Sequence, residues 1–362
     1  MKTSILVDAR EFVPGRRTGI GRVLEGLVGA LARHLPSSRF VLALFRHNRM
    51  PENLLAMPDL ESIPVPDSFL KSERALSALT RGPVSLFISP YPKLPLFGCH
   101  SLACHMIHDV LDLTHPAYRH RFKAFFDAFR VRVALKRAEL TWYVSHWSRT
   151  ETQNLFGFVG RNPRVRHSAV EESFSAAPEE KDPVVLKRYG LRPGYIIIVG
   201  NALPHKNLGV ILDIAKEIGR PILCIGANRA RRRNWESRFP RSEATWIEHV
   251  PDEELPALLR SAFCLVQPST AEGYGYPPLE AMACGVPAVI SKIPVLVETT
   301  GGYAVTADPH DPLTWIEALR ALEDNHFYRE MSGKGLRWVG PLQGANAWRD
   351  HISDIEDLME RD

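Results

Sequence analysis

The chain reads as two successive series in which short runs rich in β-branched and aromatic residues alternate with longer segments of helical period. Parallel strands need a crossover long enough to hold a helix, so this alternation is the mark of parallel α/β units. The first series holds "SILVD", "RFVLALF", "VSLFIS", "LACHMIH" and "LTWYVS" as strands. Between its first two strands, Ile20, Val23, Leu24, Leu27, Val28, Leu31 and Leu35 fall three and four apart, one apolar stripe of a helix that packs on a sheet. The second series holds "YIIIVG", "ILCIG", "TWIEHV", "FCLVQPS" and "PAVIS", separated by the helical segments "KNLGVILDIAKEI", "DEELPALLRSA" and "PPLEAMACG". Between the series, the acidic, proline-bearing stretch at 170–194 reads as an inter-domain connection. The expected fold class is α/β: two doubly wound parallel sheets in tandem facing a cleft, with ligands at the carboxyl ends of the strands. The domains are expected at 1–169, joined by a C-terminal helix at 343–362, and at 170–342.

Other features narrow the class. A length of 362 residues exceeds what one hydrophobic core usually fills. Five cysteines, Cys99, Cys104, Cys224, Cys264 and Cys284, are an odd number without a C-x-x-C pair, which argues against a disulfide framework and for a reducing compartment. The start "MKTSILVDAR" is too short and too soon charged for a signal peptide, and no apolar run reaches the length of a membrane span. A soluble or peripheral cytoplasmic protein is expected. A net charge of +4 does not by itself call for nucleic acid.

The stretch "PSTAEGYGYPPLEAMACGVPAVIS" carries the chemistry. A strand ends at Ser269, a turn follows, and Pro277 suits the first position of a helix because its missing N–H would have had no partner there. Glu280 is then expected in the first helical turn. Free N–H groups and the partial positive charge of that terminus suit a phosphate-bearing ligand, and Gly273 and Gly275 let the backbone approach it closely. A capping box is excluded, since Pro277 stands three residues before Glu280. The residues alone leave two readings open: a functional pair of acids, Glu272 and Glu280, or helix-start electrostatics.

Glu, seven residues, Glu, followed by "AMACGVPAVIS", closely resembles the donor-site signature of retaining glycosyltransferases of the GT-B fold, family 4 type. That resemblance places Glu272 beside the transferred hexose and Glu280 on the ribose hydroxyls, with Gly273, Tyr274, Gly275, Pro278 and Leu279 around the donor. "VGNALPHKNLGVIL" is similar to the family's G-x-x-x-P-x-K-N-L segment, which makes Lys206 the residue that binds the donor diphosphate. Many relatives carry an arginine directly after the glycine, where this chain has Asn201. "GRRTGIGRVLEGL" resembles the glycine-containing loop after the first strand, and implies roles for Gly19 and Gly21 at the donor and Arg22 on the acceptor side. In "MIHDVLDLTHPAYR", His108 corresponds to a histidine set against the donor sugar, with Asp109 beside it. In "YVSHWSRTE", Ser145 corresponds to a serine bordering the acceptor, although a helix N-cap explains a serine there as well.

The resemblance implies metal-independent transfer of a hexose, with retention, from a nucleotide diphosphate sugar to a glycan or lipid-linked acceptor in surface polysaccharide or glycolipid assembly. The lysine loop leans the donor toward GDP-mannose. No cofactor is expected. A non-catalytic nucleotide-sugar-binding subunit, or an epimerase or hydrolase on the same scaffold, is the alternative.

Three signals are set aside. "CHSLACHMIH" crowds Cys99, His100, Cys104, His105 and His108, but alternation along a strand points Cys104 and His105 apart, so no metal is expected. "RARRRNWESRFPR" lacks the repeated aromatic platform of a single-strand binder, so nucleic acid is not expected; a loop is, and one of its arginines is a candidate for the cation missing at Asn201. In "YRHRFKAFFDAFRVRVALKRAEL", Phe122, Phe125, Phe126, Phe129 and Val133 are expected to face the core, with Arg119, Lys123, Arg130, Arg132, Lys136 and Arg137 solvated. The alternative is a helix lying on a membrane surface, which would allow peripheral attachment at the inner face of the cytoplasmic membrane.

Overall fold

The computed structural model describes residues 3–15, 18–115 and 121–360. The chain divides into two compact units, Met1–Ala169 with Ala345–Asp362, and Val170–Gly344. Each is a parallel sheet wound with helices.

In the first unit, strands β1 (Thr3–Asp8), β2 (Ser38–Phe45), β3 (Leu60–Val65), β4 (Leu86–Ser89), β5 (Leu102–Ile107), β6 (Leu140–Tyr143) and β7 (Pro163–Val165) pair in the order β3-β2-β1-β4-β5-β6-β7. The order reverses between β1 and β4, so the crevice of this sheet opens beyond Asp8 and Ser89. Central strands such as β4 and β6 are buried along their whole length, as strands covered on both faces must be. The expected apolar stripe forms the helix Gly19–His34 and buries Val23, Leu24, Leu27, Val28 and Leu31. Thr18 caps that helix by accepting from the Gly21 N–H at 3.0 Å. The last helix, Arg349–Met359, also belongs to this unit: Asp354 accepts from the Trp142 indole at 2.9 Å and from Arg166 at 2.8 Å.

In the second unit, β8 (Ile196–Val199), β9 (Ile222–Ile225), β10 (Thr245–Ile247), β11 (Cys264–Gln267), β12 (Ala288–Ser291) and β13 (Val305–Ala307) pair in the order β10-β9-β8-β11-β12-β13. Here the order reverses between β8 and β11, and the crevice opens beyond Val199 and Gln267.

The structure corrects several expectations. The three strands that went unread, β3, β7 and β13, all lie at sheet edges. Pro64 in β3 and Pro163 in β7 are tolerated there because an edge strand does not use every N–H. The stretch at 170–194 is no bare connection. Its helix Asp182–Arg188 is tied into the second unit, with Asp182 accepting from Arg260 at 2.6 and 2.8 Å. "KNLGVILDIAKEI" is broken into Gly209–Asp213 and Ala215–Ile218 rather than running as one helix.

The arginine run is a helix, Arg229–Arg238, and not a loop. Asn228 caps it by accepting from the Arg231 N–H at 3.0 Å, and Trp235, buried in the core of this unit and stacked on Phe239 one turn later, anchors it in place of an apolar stripe. The helix Arg121–Arg137 is present, but its aromatic stripe faces outward: Phe125, Phe126 and Phe129 are 80%, 40% and 56% exposed. Its core face is the second, smaller stripe of Val131, Ala134, Leu135 and Ala138. Arg119 and the Phe122 side chain lie outside the described residues, as do Arg16 and Arg17.

Among the described residues no helix is long and apolar enough to cross a membrane.

Candidate active site

The best-defined polar cluster of the second unit straddles its crevice. After β8 the chain makes a short 3-10 turn, Pro204–Lys206, and Asn207 follows in the left-handed region at φ 51°. Asparagine tolerates that conformation, and its amide donates to the Pro309 carbonyl at 2.7 Å, locking the turn. The lysine is thereby aimed back over the sheet. Its Nζ lies 2.7 and 2.9 Å from the two carboxylate oxygens of Glu272, which follows β11.

This is not a solvated surface pair, for the side chains are only 16% and 8% exposed. Glu272 also accepts from Ser269 Oγ at 2.6 Å and from the Gln267 amide, both at the end of β11. Burial alone would raise the Glu272 pKa, but the Lys206 charge and the hydrogen bonds from Lys206 and Ser269 outweigh it and hold the carboxyl below its ordinary value. The result is an ionised carboxylate and a cation held together in low dielectric.

The helix after Glu272 runs Tyr276–Ala283, one residue earlier than the proline signal suggests. Pro277 and Pro278 are therefore its second and third residues, and Glu280, 2% exposed, lies in the second turn rather than the first. Neither proline carries an N–H, so Pro278 offers no amide to a phosphate. The amides left without a helical acceptor are those of Gly275 and Tyr276. Gly275 adopts φ 88°, and a β-carbon there would run into the Leu296 side chain, so only glycine completes this turn. Tyr274 and Leu279 are buried beneath it.

Asn201 is exposed, and its side chain accepts from the Leu203 N–H at 3.3 Å. Its carbonyl accepts from Arg231 Nη1 at 2.9 Å, which brings a guanidinium from the arginine-rich helix to the position where a cation is missing.

The first unit carries its own cluster at its crevice. Glu11, after β1, accepts from the Tyr91 hydroxyl at 2.7 Å, after β4, and from the hydroxyl of the helix cap Thr18. Burial first, then the neighbouring acids, keep Tyr91 protonated far above the usual tyrosine range, so it stays a donor. Gly19 and Gly21 begin the capped helix and Arg22 follows them. A β-carbon on Gly21 would lie 3.2 Å from the Thr18 hydroxyl and 3.6 Å from Glu11 Cγ, so this glycine makes room for the cluster.

His108, just after β5, donates from Nε2 to the Pro90 carbonyl at 3.1 Å, next to Tyr91. A carbonyl can only accept, so Nε2 carries the proton and Nδ1 is the acceptor. Burial lowers the His108 pKa to about 4, which leaves it neutral. Asp109 Oδ1 accepts from the Leu111 N–H at 2.9 Å. Ser145 is fully buried and caps the helix His146–Phe156 in a capping box with Ser148, so its hydroxyl has a structural task.

Cys104 and His105 are both fully buried, and His105 bonds the Thr141 hydroxyl at 3.0 Å. Among the described residues no three His, Cys, Asp or Glu side chains are grouped to hold a metal ion. Sequence reasoning missed Glu11, Tyr91, Gln267 and Ser269. Glu11 and Tyr91 stand 80 positions apart, although both directly follow strands that flank the crevice, which is the signal that would have found them.

Residues 178–337 match the family described as glycosyl transferases group 1. The chain is 30% identical over 247 residues to the O-antigen chain mannosyltransferase B of Escherichia coli, an alignment spanning 63% of this chain and 63% of that protein. Its fold is similar to that of a sucrose-phosphate synthase from Thermosynechococcus elongatus, with a TM-score of 0.78 at 16% identity over 99% of this chain and 98% of the other. It is similar also to HepE of Anabaena, solved with UDP-glucose, with a TM-score of 0.75 at 14% identity over 98% and 99% of the two chains. The expected pair of Rossmann-like domains of the GT-B class is thereby shown.

Proposed function

We propose, from the match of residues 178–337 to the glycosyl transferases group 1 family, that the chain is a retaining glycosyltransferase. Its reaction moves a hexose, mannose by preference, from a nucleoside diphosphate sugar to an acceptor hydroxyl in surface polysaccharide or glycolipid assembly. The observation that carries this reading is the buried Lys206–Glu272 pair across the crevice of the second sheet. The mannosyltransferase relative supports the hexose, and the UDP-glucose held by HepE supports the donor class.

In this mechanism the donor diphosphate draws Lys206 away from Glu272 and joins the amides of Gly275 and Tyr276. A cation and preorganised donors at the departing phosphates stabilise the charge that develops there, and such stabilisation is commonly the largest catalytic contribution. Arg231, already on the Asn201 carbonyl, is the second cation and takes over from the proline-blocked amide at Pro278. Glu272, freed of the lysine, accepts hydrogen bonds from the hexose hydroxyls, and Glu280 accepts from the vicinal ribose hydroxyls. His108, neutral and with Nδ1 as acceptor, is suited to receive a hydroxyl rather than to neutralise charge. The acceptor hydroxyl approaches from the side of the leaving group. The glycosidic bond to the phosphate oxygen breaks as the new bond forms, and that phosphate oxygen takes the proton, so no side-chain base and no metal ion is needed. Asp109 and Arg22 border the acceptor, while Ser145 acts only through the helix cap it forms.

The test is a thermal-shift screen of common nucleotide sugars followed by a transfer assay. A donor at about a hundred times its Kd adds about 2.7 kcal/mol to the native state. That raises melting by about 5–10 °C for a unit of this size. GDP-mannose is expected to give that shift. No shift with any common donor overturns the proposal, and a shift without transfer or hydrolysis points to a binding subunit.

A further inference from the structure

The outward aromatic face of the first unit has no task in the reaction above. Phe125, Phe126 and Phe129 stand on the helix Arg121–Arg137, and Phe126 meets a second helix, Phe69–Leu79, where the Phe69 and Phe126 rings lie edge to face at 6.4 Å. Phe69 and Leu70 are themselves 48% and 55% exposed, so the patch continues across both helices. A contiguous apolar patch of this kind marks an interaction surface, since lone exposed hydrophobics are common but clustered phenylalanines are not.

Charge selects the partner. The two helices together contain two acids, Glu73 and Asp127, and both are withdrawn from solvent. Glu73 is 1% exposed and neutralised by Arg10 at 3.0 Å and Arg130 at 2.7 Å; Asp127 is paired with Lys93 at 2.7 Å. The cations that remain outside, Lys71, Arg74, Lys123, Arg132, Lys136 and Arg137, are all exposed. Two exposed acids lie at its margins among the described residues, Asp67, paired with His47 at 2.8 Å, and Asp112 on the short helix Leu111–Thr114; a face of phenylalanines with this excess of cations over acids fits the headgroup and acyl boundary of an anionic bilayer. The rings enter the interface, and the long cationic side chains reach the phosphates.

We propose that the joined faces of these two helices seat the first unit on an anionic membrane surface. This would hold the enzyme where a lipid-linked acceptor resides, yet it rests on the first unit's surface alone and not on the donor chemistry.

Co-sedimentation of the full chain with lipid vesicles, without any sugar nucleotide, tests it separately from glycosyl transfer. Binding is expected to vesicles of phosphatidylcholine with about one-third phosphatidylglycerol, to weaken as salt is raised, and to be slight with phosphatidylcholine alone. Phe125→Ser with Phe129→Ser is expected to lower the partition coefficient by about a hundredfold, roughly tenfold for each ring. Lys71→Gln, Lys123→Gln and Lys136→Gln together are expected to lose about a hundredfold on anionic vesicles and little on neutral ones. Unchanged melting of both variants confirms that only the surface has been altered. The proposal is overturned if the wild type fails to bind anionic vesicles or binds them equally well without Phe125 and Phe129. It is overturned also if light scattering shows a dimer that the phenylalanine substitutions dissociate while vesicle binding is absent, which assigns the face to a second copy.

Discussion

Replacing Lys206 by methionine removes the cation and leaves Glu272 buried. Losing one partner of a buried ion pair costs about 3–5 kcal/mol when nothing else compensates. Glu272 keeps its bonds from Ser269 and Gln267, each a charge-assisted bond that survives the substitution. A net loss of about 2–3 kcal/mol is therefore expected at pH 8. For a unit the size of Val170–Gly344 that is a fall in melting temperature of roughly 4–12 °C. The pH dependence gives the sharper test. In the wild type, Glu272 is held below its ordinary pKa, so its contribution is present above the unfolded value of 4.5 and is lost as pH falls through the folded one. Without the lysine, burial is the largest influence left and drives the folded pKa upward, above the unfolded value. The methionine variant is then penalised at high pH and relieved as the carboxyl protonates, so its deficit relative to wild type shrinks from pH 8 toward pH 5. Lys206→Met combined with Glu272→Gln removes the charge altogether and is expected to recover most of the loss at pH 8. Melting of the four proteins of this cycle, followed across pH, measures each quantity. A deficit that grows on acidification, or a double variant no better than the single one, refutes the idea that a desolvated charge pair holds this site.

Arg231→Ala is expected to raise the KM for the donor by about tenfold with a smaller effect on kcat, and Arg231→Lys to restore part of it; steady-state kinetics with an unchanged KM would discard the second-cation role. Gly275→Ala forces a β-carbon into a left-handed turn against Leu296, and the second unit is expected to lose about 2–3 kcal/mol, read as a lowered urea midpoint. Burial lowers the pKa of His105 and of His351 to about 3, from an ordinary 6.5. Their contribution is complete above pH 6.5 and is lost as pH falls toward 3, about 2 kcal/mol for each at pH 5. His351→Gln is expected to flatten the acid limb of a stability-against-pH curve, and an unaltered limb would show that this histidine does not drive it.

The alternation of strand and helix was enough to read both sheets, because their central strands are continuous apolar runs with clear boundaries. β3, β7 and β13 were lost for the opposite reason: an edge strand is short, half-polar and free to hold proline. Lys206 and Glu272 could be named from the loops they occupy, but their direct contact joins residues 66 positions apart and no local pattern encodes it. The helix Arg121–Arg137 shows a different limit. Periodicity reported an apolar stripe correctly, yet the helix carries two, and the sheet accepts the one with small side chains because alanine permits a closer approach. The arginine-rich helix escaped because a cap and one buried tryptophan anchor it to the core instead of a repeating face.

The return of the helix Arg349–Met359 to the first unit bears on how the chain is made. When synthesis has delivered the segment through Ala169, Trp142 and Arg166 exist but the carboxylate they share, Asp354, has yet to be translated. The middle of the polypeptide, Val170–Gly344, is by contrast complete in itself once its last residue emerges. The unit begun first is thus the one finished last, and a nascent chain stalled short of its final turns leaves a tryptophan side without its cover, a state that chaperones recognise.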